Sequence, residues 1–233
     1  MIAVRTLALS AFALAAAFAA PAFALDAENR TVDPETLGTV LARIDASAEI
    51  GAHYRACPDD IYASKVQGLP NPREEIGLDA VCAADPDGCL NACLFERDAE
   101  RCFMLGYLLH VAKNAPDARY AEMLYAQACA TGSAVGCTNR GAGIRNGDYA
   151  NDPFGNADPK ETDACLTRTF DRMCAEDDAW GCFMVGQSYE HGEGVPKDDA
   201  QSKRFYRMAC DISPDSGACT RWRFEDGGGE PEN

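Results

Sequence analysis

Cys174-Ala-Glu-Asp-Asp-Ala-Trp-Gly-Cys182, running on into Phe-Met-Val-Gly186, decides the fold because the chain repeats it. Cys129-Ala-Thr-Gly-Ser-Ala-Val-Gly-Cys137 is the same device, with seven residues between the cysteines. Cys93 to Cys102 and Cys210 to Cys219 place eight between, and Cys102 continues Phe-Met-Leu-Gly106. From first cysteine to first cysteine the steps are 36, 45 and 36 residues. A period of that length marks stacked supersecondary units, each burying its apolar face against the next. The predicted fold is all-α: an α/α superhelix, or solenoid, of antiparallel helix pairs stapled by disulfides.

Around each pair, one helix runs up to the first cysteine and another starts at the second. Tyr125, Phe170 and Tyr206 lie four positions before a first cysteine, and Gly106, Gly141 and Gly186 four after a second. A spacing of four shares the cysteine's helical face. An aromatic ring can then pack over a glycine on the neighbouring helix, which outweighs the roughly 1 kcal/mol that Gly costs within a helix. Tyr189, Gly192, Gly194, Val195 and Asp198 read as helix, glycine turn and capped helix. The 45-residue step carries its extra length in 146–160, which is rich in Gly, Asn, Asp and Pro and reads as an exposed loop. After Cys219 the pattern decays: Arg223 replaces the glycine, and 227–233 reads as a flexible tail.

Upstream, residues 1–24 read as an export signal: Arg5, then an uncharged apolar run from Leu7 to Ala20, then Ala22-Phe23-Ala24 as a cleavage site. The run is short for a membrane span, which needs about 20 residues. Residues 25–84 read as a helical extension and cap, and 85–226 as the repeat array. Asp33-Pro34-Glu35 starts a helix expected to reach about Ala56, with Leu37, Val40, Leu41 and Ile44 on one face. Asp59 to Arg73 reads as loop, Glu74 to Ala84 as helix, and Asp85-Pro86-Asp87-Gly88 as a turn.

Export would place all twelve cysteines where disulfides form, in a periplasmic or secreted protein. Cysteines flanking a tight helix–turn–helix corner can approach bonding distance. Each such loop stabilises by roughly 2–3 kcal/mol in the chain-entropy account. Redox catalysis commonly uses Cys-x-x-Cys, which does not occur here. Cys57, Cys82, Cys89 and Cys165 remain. They allow three pairings; a bridge among the first three, with Cys165 a buried free thiol, stands beside the others. Net charge is −16, or −17 once Arg5 is removed, which disfavours nucleic acid and anionic lipid and suits a solvated surface.

The stretch from Tyr189 to Cys219, with Tyr-x-x-Gly-x-Gly-Val-x-x-Asp and then Phe-Tyr-x-x-Ala-Cys, resembles a SEL-one-like repeat (SLR), of the tetratricopeptide-like class. The cysteine pair in each repeat resembles the cysteine-rich Hcp family of secreted proteins. The resemblance covers about Asp85 to Phe224. It implies helix pairs in a right-handed superhelix whose concave groove takes a protein or peptide ligand. For the Hcp group it also implies penicillin binding with weak β-lactamase activity.

The residues for that chemistry are hard to find. No serine has a lysine three residues on, as Ser-x-x-Lys requires. Ser188 lies within a predicted helix. His53, His110 and His191 stand far apart, without the clustering a metal site needs. Glu176-Asp177-Asp178 reads as an acidic turn. No catalytic residue, cofactor or metal ligand is assigned. The expected role is an interaction scaffold of the cell envelope, with Tyr107, Tyr149 and Phe154 as candidate partner-binding residues because they fall outside the repeated core positions.

Overall fold

A computed structural model of the chain describes residues 30–64, 78–147, 152, 154, 158–214 and 216–220. The export signal, Tyr149, Arg223 and the tail lie outside the described residues. Among the described residues the structure is helical, without strands.

Asp33 caps α1 (Pro34–Ala46), its carboxylate accepting the Thr36 N–H at 2.9 Å, and Leu37, Val40 and Ile44 face inward. The helix does not reach Ala56. Ser47 leaves the helical conformation and its hydroxyl accepts the Ile50 N–H, capping a separate α2 (Ala48–Tyr54). A serine that can satisfy a free N–H favours that cap over continuation. The segment expected to be loop after Asp59 opens with a single turn, α3 (Pro58–Ile61). Next comes α4 (Leu78–Ala84). The expected turn at Asp85 is instead the cap of a short α5 (Pro86–Asn91), its carboxylate accepting the Gly88 N–H at 2.9 Å. A wide π-turn, Ala92–Glu96, follows and ends on Arg97 at φ 56°.

Among the described residues six longer helices follow: α6 (Ala99–Val111), α7 (Arg119–Ala130), α8 (Ala134–Asn146), α9 (Pro159–Ala175), α10 (Ala179–His191) and α11 (Asp199–Ile212). Each packs on the next. The ring-on-glycine contacts lie across the linker from the second cysteine's helix to the following one. A Cβ on Gly106 would stand 3.1 Å from the Tyr125 ring, on Gly141 2.7 Å from Phe170, and on Gly186 2.7 Å from Tyr206. Close approach at the cysteine corners uses a second glycine. A Cβ on Gly136 or Gly181 would meet the Cβ of Ala128 or Met173 at 2.7 and 2.8 Å. In the linker after α10, Gly194 has φ 70°, and a Cβ there would stand 2.3 Å from the Asp163 carbonyl oxygen, so only glycine fits.

Disulfides join Cys93–Cys102, Cys129–Cys137, Cys174–Cys182 and Cys210–Cys219, with Cα atoms 4.7, 4.5, 4.4 and 4.8 Å apart. The other four cysteines pair as Cys82–Cys89 and Cys57–Cys165. Cys165 is therefore not a free thiol: α3 crosses the array and brings Cys57 to α9. Six disulfides point to an oxidising compartment.

Residues 30–64 run along the helix pairs. α1 packs on α5 and α7, α2 on α7, and α3 on α7, α8 and α9. With neighbours on every side, α7 is buried from Tyr120 to Ala130, and α8 is buried over most of its length. An apolar cluster centred on Phe103, Leu108 and Leu124 fills the N-terminal half. Another around Phe170, Val185 and Tyr206 fills the C-terminal half.

Candidate functional site

At the centre of the molecule is a buried cation. Arg140, in mid-α8, has no exposed side-chain surface. It donates to Glu122 of α7 at 3.0 Å and to both carboxylate oxygens of Asp152 at 2.5 and 2.9 Å. It also donates to the Tyr54 carbonyl at 3.0 Å, and its guanidinium lies 4.5 Å from the centre of the Tyr54 ring. Burial works against the Arg140 charge, but the bonds to Asp152 and the charges of Asp152 and Glu122 prevail and raise its pKa. Burial, reinforced by Asp152, pushes the Tyr54 hydroxyl up to about 12. Asp152 belongs to the long insertion, so the segment expected to be an exposed loop sends a carboxylate into the interior. Every charged group there has a partner, which marks a structural lock and not a poised acid or base.

Two grooves between alternate helices differ in content. The groove between α7 and α9 holds α3. Cys57 is bonded to Cys165, and the Thr169 hydroxyl accepts the Asp59 N–H at 3.2 Å. Arg172 donates to the Asp59 carboxylate at 3.2 Å and lies over the Tyr62 ring, 4.8 Å from its centre. Arg168 pairs with Asp59 at 3.5 Å. Ile61 and Tyr62 pack on a small cluster of Cys129, Ala134, Cys137 and Met173.

The groove between α9 and α11 is an open cleft of about 550 Å³. Its floor carries Tyr189 and Phe205, stacked with ring centres 5.6 Å apart, and Met208. Asp171, Asp198, Gln201 and Arg204 supply its polar lining. Polar and apolar surface share the cleft about equally, and recognition sites draw on both kinds of contact.

Of the candidate partner-binding aromatics, the two within the described residues lie elsewhere. Tyr107 is half-buried against the first cluster and Phe154 against the second. The Phe154 N–H donates to Asp152 at 2.9 Å. Both contribute to packing, and the structure does not bring them together at the cleft. Among the described residues Phe95, in the π-turn, is the most exposed large apolar side chain, at 77%; Val81 and Ile212 are exposed to a lesser degree. Ser188 is buried and donates to the Met184 carbonyl at 3.3 Å, so its hydroxyl does not face a cleft. His110 and His191 close α6 and α10. His53, in the last turn of α2, hydrogen-bonds Gln127 at 2.7 Å. Asp178 caps α10, accepting the Trp180 and Gly181 N–H groups, and accepts the Thr138 hydroxyl. No metal-binding cluster occurs among the described residues, and no described helix is long and apolar enough to cross a membrane.

Sequence reasoning missed the Arg140 centre and the cleft. Arg140 did carry a signal: a charge at mid-helix within a run of small and polar residues, Gly136-Cys-Thr-Asn-Arg140-Gly-Ala-Gly143. The cleft residues carried one only on alignment of α9 with α11. Compared with models of known protein families and with curated proteins, the chain finds no match.

Proposed function

We propose that this chain is an exported, SEL-one-like helical-repeat protein of the periplasm or extracellular space that works as a protein-interaction scaffold. In this reading the helix pairs continue as a solenoid and the disulfides keep its shape rigid. Residues 1–24 are removed on export. The observation that carries the binding role is the cleft between α9 and α11, with its aromatic floor and charged lining. Rigid walls support it: Cys174–Cys182 anchors α9 to α10, and Tyr206 sits directly over Gly186 between α10 and α11. Preorganised surfaces bind without an ordering cost.

The test is selection of a random displayed-peptide library on the immobilised, oxidised protein. Enriched peptides should lose binding to a Met208→Asp variant, whose carboxylate lies on the apolar floor. Enrichment that is indifferent to Met208→Asp removes the cleft as the site.

A further inference from the structure

The two grooves are the same place one repeat apart. Superposing the cysteine of α11, Cys210, on that of α9, Cys174, is a shift of 36 residues. It takes Cys165 to Gln201, Arg168 to Arg204, Thr169 to Phe205 and Arg172 to Met208. The first four are the α9 side chains that hold α3. Their four counterparts all line the open cleft. The opposite wall obeys the same rule with the 45-residue step. Cys129, whose Sγ lies 3.2 Å from the Pro58 carbonyl oxygen, becomes Cys174 of the cleft wall.

Resting on the interaction-scaffold reading, we infer that the cleft between α9 and α11 receives a short peptide segment from a partner protein, in the manner of α3. The segment carries one carboxylate at its start and an aliphatic or aromatic side chain two or three residues on. The substitutions define that chemistry. Arg204 keeps the cation that Arg168 offers to Asp59, so the leading acid stays. Phe205 and Met208 replace a hydroxyl and a guanidinium, so the α11 wall is more apolar than the α9 wall that holds α3. A sulfur against an aromatic ring is favourable where Met208 would meet the ligand. Asp171 and Asp198 line the same cleft, so a second ligand carboxylate is disfavoured. Gln201 in place of Cys165 removes the covalent bond, so this ligand exchanges where α3 is permanent.

The probe is acetyl-Pro-Asp-Asn-Ile-Tyr-Ala-amide, which copies residues 58–63 with one acid neutralised. It is titrated into the isotopically labelled, oxidised chain and followed by amide NMR. The expected result is saturable shifts at Gln201, Arg204, Phe205 and Met208. Affinity should fall about tenfold in Arg204→Glu or when the probe's Asp becomes Asn, as for a solvent-edge charge pair. Resonances of α7 and α8 should stay unchanged in the variant, showing that it folds. If a probe with Lys in place of Asp binds the cleft as tightly, the acidic chemistry is overturned while the peptide-binding reading stands. If none of the three probes shifts the cleft at millimolar concentration, both fall. A dimer in sedimentation that Arg204→Glu dissolves assigns the cleft to a second copy of the chain and overturns the peptide ligand.

Discussion

Replacing Arg140 by Met keeps volume and shape but leaves Glu122 and Asp152 without their cation. Both carboxylates are almost wholly buried, with 2% and 4% of the side chain exposed. Arg140 gives three hydrogen bonds to the two acids and one to the Tyr54 carbonyl. Their gross value is large, but the wild-type fold also bears the cost of desolvating three charges. Removal of one partner of such a centre leaves a net loss of about 3–5 kcal/mol. Glu122 has no route to water, because the backbone of α8 presses on it: a Cβ on Gly143 would stand 2.3 Å from its Oε2. Glu122 must therefore protonate, and its folded pKa in the variant rises above the unfolded value of about 4.3. A raised carboxyl pKa costs stability only where the unfolded state is ionised. The variant's deficit is thus full near neutrality and shrinks as pH falls toward about 4. Urea unfolding of the oxidised protein, followed by far-UV circular dichroism at pH 7 and 4.5, measures it. Arg140→Met combined with Glu122→Gln should recover part of the loss at pH 7 and flatten its pH dependence. A deficit below about 1 kcal/mol, or one that does not change with pH, refutes the reasoning.

Removing Cys57–Cys165 with paired serines should cost more than removing Cys174–Cys182: about 4.5–5 against about 2.5 kcal/mol in the chain-entropy account, for separations of 108 and 8 residues. Calorimetric melting of the two variants orders them, and equal losses would show that α3 is held by its side chains alone. Gly141→Ala should destabilise by about 1–3 kcal/mol, because its Cβ meets the Phe170 ring at 2.7 Å, while Gly106→Ala, at 3.1 Å from Tyr125, should cost less. Reversal of that order in urea midpoints would mean that the Phe170 ring shifts freely. Tyr54 stays protonated in the fold up to about 12. Its unfolded hydroxyl ionises near 10, so its contribution to stability is whole below 10 and disappears as pH rises through the folded value. The phenolate absorbance of the native protein should lack one late-titrating group in Tyr54→Phe, and loss of an early one instead contradicts the burial.

Features written within one helix, or between neighbours, were legible. Pro34 after Asp33 locates the start of α1. The offset of four between Tyr206 and Cys210, or Cys182 and Gly186, gives the faces that touch. The cysteine spacing locates the corners. What was hidden depends on contacts between distant positions. Nothing near Cys57 says that it meets Cys165, because that bridge follows from α3 crossing α7 and α9. Ser47 and Asp85 follow a common ambiguity, since each can end one helix while capping another. Tyr107 and Phe154 drew notice for lying outside the repeated positions. Positions outside the repeated pattern still have to pack, and both aromatics do so, Tyr107 from α6 and Phe154 from the insertion. Arg140 was overlooked because its partners come from residues 54, 122 and 152, which only the folded chain assembles.

The connectivity has a temporal consequence. Five of the six bridges join cysteines that are consecutive among those they compete with locally, and each can close as soon as its own corner has been synthesised. Cys57 is the first thiol to emerge and Cys165 the eighth. During the interval Cys57 meets Cys82 and Cys89 before its own partner exists. Pairing in order of appearance would join Cys57 to Cys82 and Cys89 to Cys93, and the register would stay wrong until Cys174. Maturation thus favours a cell that shuffles wrong bridges, and a host that only oxidises would accumulate a scrambled product whose misassignment begins at Cys57.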